Sequence, residues 1–311
     1  MKIQLTTPVA FFIFNRPDTT LRVFEQIRHV KPQKLFIIAD GARFIEEEDK
    51  CNKSRSIIEK IDWDCEVLTN FSDVNLGCKL RVSSGLDWVF DKVESAIILE
   101  DDCLPEPSFF EFCSELLTRY VNDQRVMMIS GDNFQFGNKR TKDSYYFSMF
   151  PHCWGWATWK RAWQYYDVDM KLWLTIKNNN WLMDILNSKI VMTYWENIFQ
   201  DVFDNLIDTW DYQWTFACWI QSGLTILPNV NLVSNIGFNN EATHTKKSKN
   251  RLANMYTESL TFPLIHPKFV VRNSQSDDFT QKSLFRLSIP KFIKIKIKKI
   301  LTQLQKIKTK K

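Results

Sequence analysis

The segment AIILEDDCLPE, residues 96–106, passes from Ile97, Ile98 and Leu99 straight into three consecutive carboxylates, Glu100, Asp101 and Asp102. A short apolar run of this kind reads as a buried strand. Three adjacent acids repel one another and have no place in an apolar core, so a strand that ends in them calls for a bound cation. Oxygen donors suit Mg2+ or Mn2+, ions that in turn hold phosphate oxygens. A solvated acidic turn is the other reading of the same residues. The next residues favour the first. Pro105 and Pro107 end the strand, and residues 108–120 carry Phe109, Phe112, Cys113, Leu116, Leu117 and Tyr120 at helical spacing. The unit is strand, acidic loop, helix, and in open α/β sheets ligands sit at the carboxyl ends of strands.

Upstream, an apolar run over residues 8–14 stops at Asn15, Arg16 and Pro17, and residues 18–27 continue with Leu21, Phe24 and Ile27 at helical spacing. Lys34–Ala39 reads as a second strand, broken by Asp40 and Gly41. Residues 46–61 read as a polar helix, 65–69 as a third strand, and 79–90 as a helix opening after Gly77. With the acidic strand fourth and residues 125–130 fifth, strands alternate with helices, the pattern of a mostly parallel, doubly wound α/β sheet. Arg16, Asp40, Gly41 and the acids at 100–102 then share one sheet edge. That edge suits a nucleotide: Asp40 can accept from a base N–H, and cations can meet phosphate. Lys79 and Arg81 add positive charge and a helix amino terminus near the same phosphates. Each of these is an ordinary surface residue taken singly; their common position carries the inference. Neither familiar glycine-rich phosphate loop is present, which weakens ATPase and dinucleotide readings.

Beyond Ser130 the alternation fails. Residues 145–149 look like a strand, 154–163 form an aromatic cluster around Gly155, and 181–206 are largely helical. Asp211 follows Trp210 and precedes Tyr212 and Trp214. An acid flanked by aromatics is poorly hydrated when buried, which suits a general base; capping the helix over 212–221 is its structural alternative. Residues 224–227 read as a strand, and the polar loop 235–245 holds Glu241 and His244. A lone loop histidine serves as metal ligand, phosphate contact or neither. At the end, Ile289, Phe292, Ile293, Ile297, Ile300, Leu301, Leu304 and Ile307 share a helical face opposite lysines, which suits an anionic bilayer, although 293–297 also alternates as a strand would and a disordered basic tail gives the same composition.

Composition sets outer limits. A chain of 311 residues with 44% hydrophobic residues can bury a sizeable core. Twelve Trp and 24 Phe, many of them between 134 and 219, point to a region that packs or stacks on flat rings. The formal charge of +5 hides an asymmetry: ten Lys and Arg lie in residues 286–311, which hold no acid, leaving 31 basic against 36 acidic residues elsewhere. The acidic body argues against nucleic acid as a partner and the tail seeks an anionic surface. Seven scattered cysteines fit reduced thiols better than disulfides or zinc. No apolar run reaches the roughly 20 residues of a membrane span, and the first residues lack a signal-peptide pattern, so the expected location is cytoplasmic, at the inner face of the cell membrane.

Three stretches carry a family likeness: ILEDDCLPEPSFFEFC at 98–113, FPHCWGWATWKRAW at 150–163 and PNVNLVSNIGFNNEATHT at 228–245. On these the chain resembles GT-A glycosyltransferases, and within them the N-acetylglucosaminyltransferase I family and bacterial family 2-like transferases that build lipopolysaccharide or capsule. The likeness covers residues 8–245. It implies a GT-A fold over 1–275, with a nucleotide-binding half at 1–130 and an acceptor half at 131–275; the remaining residues, 276–311, form the membrane-associating tail expected from their own basic, amphipathic pattern. It further implies Asp102 as direct Mn2+ ligand, Glu100 and Asp101 facing donor sugar and ribose, Arg16, Asp40 and Arg81 holding a uridine diphosphate, Asp211 as the base that deprotonates the acceptor hydroxyl, and His244 at the end of the donor-site loop. Trp154, Trp156 and Trp214 would stack on sugar rings. The chain departs from the family in having Glu-Asp-Asp for Asp-x-Asp and in lacking the eukaryotic membrane anchor. The expected activity is inverting transfer of a sugar from a UDP-sugar to a hydroxyl of a lipid-linked or surface glycan. A sugar nucleotidyltransferase shares sheet and metal but needs a glycine-rich loop where this chain has Asn15, Arg16 and Pro17. A carbohydrate-binding protein without activity has no use for the acids, and a glycoside hydrolase leaves the nucleotide edge unexplained.

Overall fold

A computed structural model describes residues 4–238 and 251–285. The expected site residue His244 and the basic tail from 286 onward lie outside the described residues. The chain runs β1 (Val9–Ile13), α1 (Pro17–Val30), β2 (Lys34–Ala39), α2 (Glu48–Arg55), β3 (Glu66–Phe71), α3 (Gly77–Phe90), β4 (Ser95–Glu100), β5 (Cys103–Pro105), α4 (Ser108–Arg119), β6 (Val126–Ser130), β7 (Tyr145–Ser148) and β8 (Trp156–Trp159). Three short helices, α5 (Lys160–Trp163), α6 (Trp173–Asn178) and α7 (Leu182–Leu186), precede α8 (Lys189–Phe203), α9 (Asp211–Ile220), β9 (Leu224–Pro228), β10 (Val233–Asn235) and α10 (Ser274–Ser283).

Side chains alternate across a strand, and in the central strands both faces are apolar. Val9, Phe11, Leu35, Ile37, Ile97 and Leu99 belong to one core with Val23, Phe24 and Ile27 of α1 and Phe112 and Leu116 of α4. Their neighbours in sequence, Ala10, Phe12, Phe36, Ile38, Ala96 and Ile98, belong to a second core with Leu86 and Val89 of α3 and Trp214 and Ala217 of α9. Each large side chain so buried contributes about 1.5–3 kcal/mol. Two helix-covered faces explain why these strands read as continuous apolar runs.

The result is a mixed α/β fold around an eight-stranded, mostly parallel sheet in the order β3-β2-β1-β4-β8-β6-β9-β7. β3, β2, β1 and β4 are parallel. β8 enters antiparallel between β4 and β6, and β7 closes the far edge antiparallel to β9. Residues on either side of 130 therefore share one sheet. The expected boundary at 275/276 falls inside α10, which belongs to the body: Asp277 is 1% exposed and accepts a hydrogen bond from Ser148 Oγ. The expected helix over 46–61 splits, because after α2 the chain tightens into a 3-10 stretch, Ser56–Lys60, that turns Ile57 into the core.

A third core gathers Trp173, Trp195, Phe199, Phe216 and Trp219 from α6, α8 and α9. Much of the aromatic wealth between 134 and 219 is thus spent on packing the protein itself. Trp156 and Trp214, expected to stack on sugars, are fully buried among Trp163 and Trp210 and cannot do so. Among the described residues no helix is long and apolar enough to cross a membrane.

Candidate functional site

Parallel strands deliver their carboxyl ends to one edge, and here those of β1, β2 and β4 open onto a cavity of 580 Å³. Arg16, Asp40, Arg81, Glu100, Asp101, Asp102, Trp154 and Asp211, each singled out from sequence, all line it. Pro17 at the first position of α1 sets the helical φ there, so the chain turns at Asn15 and Arg16 and leaves Arg16 facing the acids.

Asp101, 6% exposed, accepts from Phe14 N at 2.9 Å and stands 3.5 Å from Arg16 Nη1. Asp102 Oδ2 lies 2.7 Å from the same nitrogen. The acidic turn is fixed from above by the pairing of β5 with β10, which continues as Ile236 N donating to Asp102 O at 2.8 Å. Gly237 then crosses directly over the carboxylate: a Cβ there would sit 2.1 Å from Asp102 Oδ2. Only glycine permits that approach. Burial, reinforced by Asp102, Asp101 and Asp211, pushes the Glu100 carboxyl up, and burial pushes Asp101 up against the pull of Arg16. Burial works against the charge on Arg16, but Asp101 and Asp102 outweigh it and hold the guanidinium charged. Three carboxylates thus share one cation, a deficit of positive charge that favours a further cation.

Among the described residues no group of three or more His, Cys, Asp and Glu side chains is arranged to enclose a metal ion. A divalent ion bound here would need oxygens from its ligand as well. The donor set fits that case: Asp102 offers a hard carboxylate on an open cavity, and Mg2+-type sites commonly combine one or two carboxylates with substrate phosphates.

Several expected contacts are corrected. Asp40 accepts from Leu76 N at 2.8 Å, Gly41 N at 2.9 Å, and Gly77 N and Asn75 Nδ2 at 3.1 Å each. Its oxygens are engaged in pinning the start of α3 to the end of β2, so it is not a free acceptor for a base. Gly41 lies off the cavity, packed on the Val74 carbonyl, where a Cβ would come within 2.5 Å of the oxygen. Lys79 also lies off it, donating to Asn205 Oδ1 at 2.8 Å. Arg81 does face the cavity, 7% exposed; Nη2 donates to Asn70 Oδ1 at 2.9 Å while Nε has no partner among the described residues. Asp211 is not a helix cap: it is the first residue of α9, after Trp210, and its carboxylate receives the Thr209 hydroxyl. Trp154 stays half-buried on the wall, its ring held edge-on by Phe134 and Phe238 at 5.2 and 5.6 Å.

The cavity also takes in residues not foreseen, among them Arg43, Asn75, Tyr212 and Gly237. Arg43 is the most legible in retrospect, because it follows Asp40 and Gly41 in the loop leaving β2. Gly237 is a glycine beside the last strand, but nothing in the sequence pairs it with Asp102.

No family model and no curated protein matches the chain. Solved structures overlap part of it. The mannosyltransferase PcManGT from Pyrobaculum calidifontis, in complex with GDP-Man and Mn2+, is 12% identical at a TM-score of 0.35, over 50% of this chain and 45% of that one. A UDP-glucose pyrophosphorylase complexed with UDP-glucose is 10% identical at a TM-score of 0.25, over 51% and 71%. A 4-diphosphocytidyl-2C-methyl-D-erythritol synthase from Anaerococcus prevotii is 12% identical at 0.24, over 50% and 72%. The chain thus spans less than half the length of the mannosyltransferase it overlaps.

Proposed function

We propose that the protein is a metal-dependent glycosyltransferase of the GT-A type, moving a sugar from a UDP-sugar to a hydroxyl of a glycan, with inversion. The observation that carries this is the meeting, in one 580 Å³ cavity at the strand ends, of the acidic run 100–102 with Arg16 and Asp211. Asp102, together with diphosphate oxygens of the donor, would hold Mn2+ or Mg2+, which supplies neutralisation of charge on the departing diphosphate. Arg16, 2.7 Å from Asp102 Oδ2 on the same wall, would meet phosphate as a bidentate donor were Asp102 to hold the ion. Arg81 offers a second cationic donor at the wall. Glu100, on the wall of the same cavity, can accept from a hydroxyl of the donor sugar. Asp211, the first residue of α9 and on the wall of the same cavity, takes the proton of the attacking acceptor hydroxyl. Trp154 gives the acceptor ring an apolar face.

The acceptor we favour is lipid-linked or part of a lipopolysaccharide, on the strength of the basic, amphipathic sequence after residue 286, which would hold the protein at the inner face of the membrane. Thermal-shift measurements with a panel of nucleotides and nucleotide sugars, with and without Mn2+, test the proposal. A metal-dependent rise in melting temperature selective for a nucleoside diphosphate sugar is expected. Stabilisation by a nucleoside triphosphate, with pyrophosphate released on adding a sugar phosphate, would make the protein a nucleotidyltransferase instead.

A further inference from the structure

Asn75 lines the cavity from the turn between β3 and α3. Its Nδ2 donates to Asp40 Oδ2 at 3.1 Å and to the Gly41 carbonyl at 2.8 Å. A carbonyl oxygen only accepts, so the amide cannot be turned over, and both of its N–H groups are spent. Oδ1 is the polar end left for the cavity: it has no partner among the described residues and, unlike Arg81 Nε in the same wall, is not sealed from solvent. Asp40 is fixed in turn, since Leu76 N and Gly41 N take one of its oxygens and Gly77 N shares the other. The acceptor that Asp40 cannot offer is thus offered by an amide oxygen that Asp40 holds in place.

Position along the sheet says what would meet that oxygen. The parallel strands run β3, β2, β1, β4, and the segments leaving their carboxyl ends carry Asn75, Asp40, Arg16 and the acids 100–102 in that order. Neighbouring strands lie ~4.8 Å apart, so about 10 Å of edge separates the β2 end from the β4 end. A nucleotide whose diphosphate lies at Arg16 and Asp102 carries its base toward Asn75. Flat groups line the same cavity: the Arg43 guanidinium lies 5.4 Å from the centroid of the Phe14 ring. Such groups suit a planar ring. Once N1 carries the ribose, the one donor on a uracil ring is N3–H, whereas cytosine presents a bare N3.

We propose that Asn75 Oδ1 accepts the N3–H of a uracil base and so determines which nucleotide the cavity takes, with Asp40 as the positioning residue that fixes the amide. The assignment rests on the donor-nucleotide reading given above and names the residue that reads the base.

Calorimetric titration of the full chain with UDP, CDP and N3-methyl-UDP, each with Mn2+, tests it. The methylated ligand has no proton at N3 and leaves the protein unaltered, so folding does not enter. The wild type should bind UDP at least about tenfold more tightly than either of the others. Asn75→Ala should bind UDP about tenfold more weakly and the other two within about threefold of the wild type, so that the preference disappears. Uniform weakening of all three by Asn75→Ala would mark a purely structural role and refute the assignment. Equal affinity of the wild type for UDP and N3-methyl-UDP, or a preference that survives Asn75→Ala unchanged, would overturn it too. Those results leave the donor reading standing, because UDP still binds; failure of every nucleoside diphosphate to bind with Mn2+ overturns both.

Discussion

Gly237→Ala is a single methyl group aimed at the Asp102 carboxylate. The added Cβ would stand 2.1 Å from Asp102 Oδ2, 2.7 Å from its Cβ and 2.8 Å from its Cγ, so it conflicts with the whole side chain and not merely its flexible end. Backbone is held on both sides, by Gly237 N donating to Asn235 Oδ1 at 2.9 Å and Ile236 N to Asp102 O at 2.8 Å. The carboxylate must therefore yield by roughly 1 Å, a displacement that costs on the order of 100-fold in rate where reacting groups are positioned. The same shift breaks the 2.7 Å contact with Arg16, and overpacking of this kind costs about 1–3 kcal/mol of stability. Sugar transfer with saturating Mn2+ and calorimetric titration of Mn2+ with UDP measure the two effects. Turnover should fall by about two orders of magnitude with weaker metal-dependent binding and a melting temperature lowered by a few degrees. A variant that melts like the wild type and turns over within twofold of it would show that Asp102 is not fixed by this crossing, and the reasoning would fail.

Asp211→Asn should leave donor and metal binding intact and abolish transfer; a calorimetric loss of donor affinity would argue against its assignment as base. Trp154→Ala should raise the acceptor KM with little change in stability. Trp214→Ala, in contrast, removes a fully buried ring and should cost about 3–5 kcal/mol in urea unfolding before any kinetic effect is considered. His152, 5% exposed, has Nε2 unpaired among the described residues and is lowered by burial to about 3 from its ordinary value. Folding is then favoured above pH ~6.5 and loses that advantage as pH falls, by about 2 kcal/mol at pH 5. His152→Phe should narrow the difference in unfolding free energy between pH 7 and pH 5 by that amount, and an unchanged difference would count against it.

Sequence and structure agree where one physical signal dominates. The runs at Val9–Ile13, Lys34–Ala39 and Ser95–Glu100 are buried on both faces, so apolar content alone marked them. The acids at 100–102, with nowhere to hide in a core, marked the cavity edge. β8 was harder to see: Trp156–Trp159 is four residues long, and its antiparallel place between β4 and β6 is set by long-range pairing that no local pattern encodes. Tryptophan type was equally uninformative, since the same side chain lines the cavity at Trp154 and fills a core at Trp156 and Trp214. Asp40 illustrates a third limit. Its edge position was legible, but the loop amides of Leu76 and Gly77 that occupy its oxygens become neighbours only when α3 docks on β2.

Calorimetry of UDP binding in the presence and absence of Mn2+, on the wild type and on Asp102→Asn, bears most directly on the acidic run as a metal-and-diphosphate site. Binding that depends on Mn2+ in the wild type and weakens by at least about 100-fold in Asp102→Asn is the expected result. UDP binding indifferent to both the ion and the substitution would contradict it.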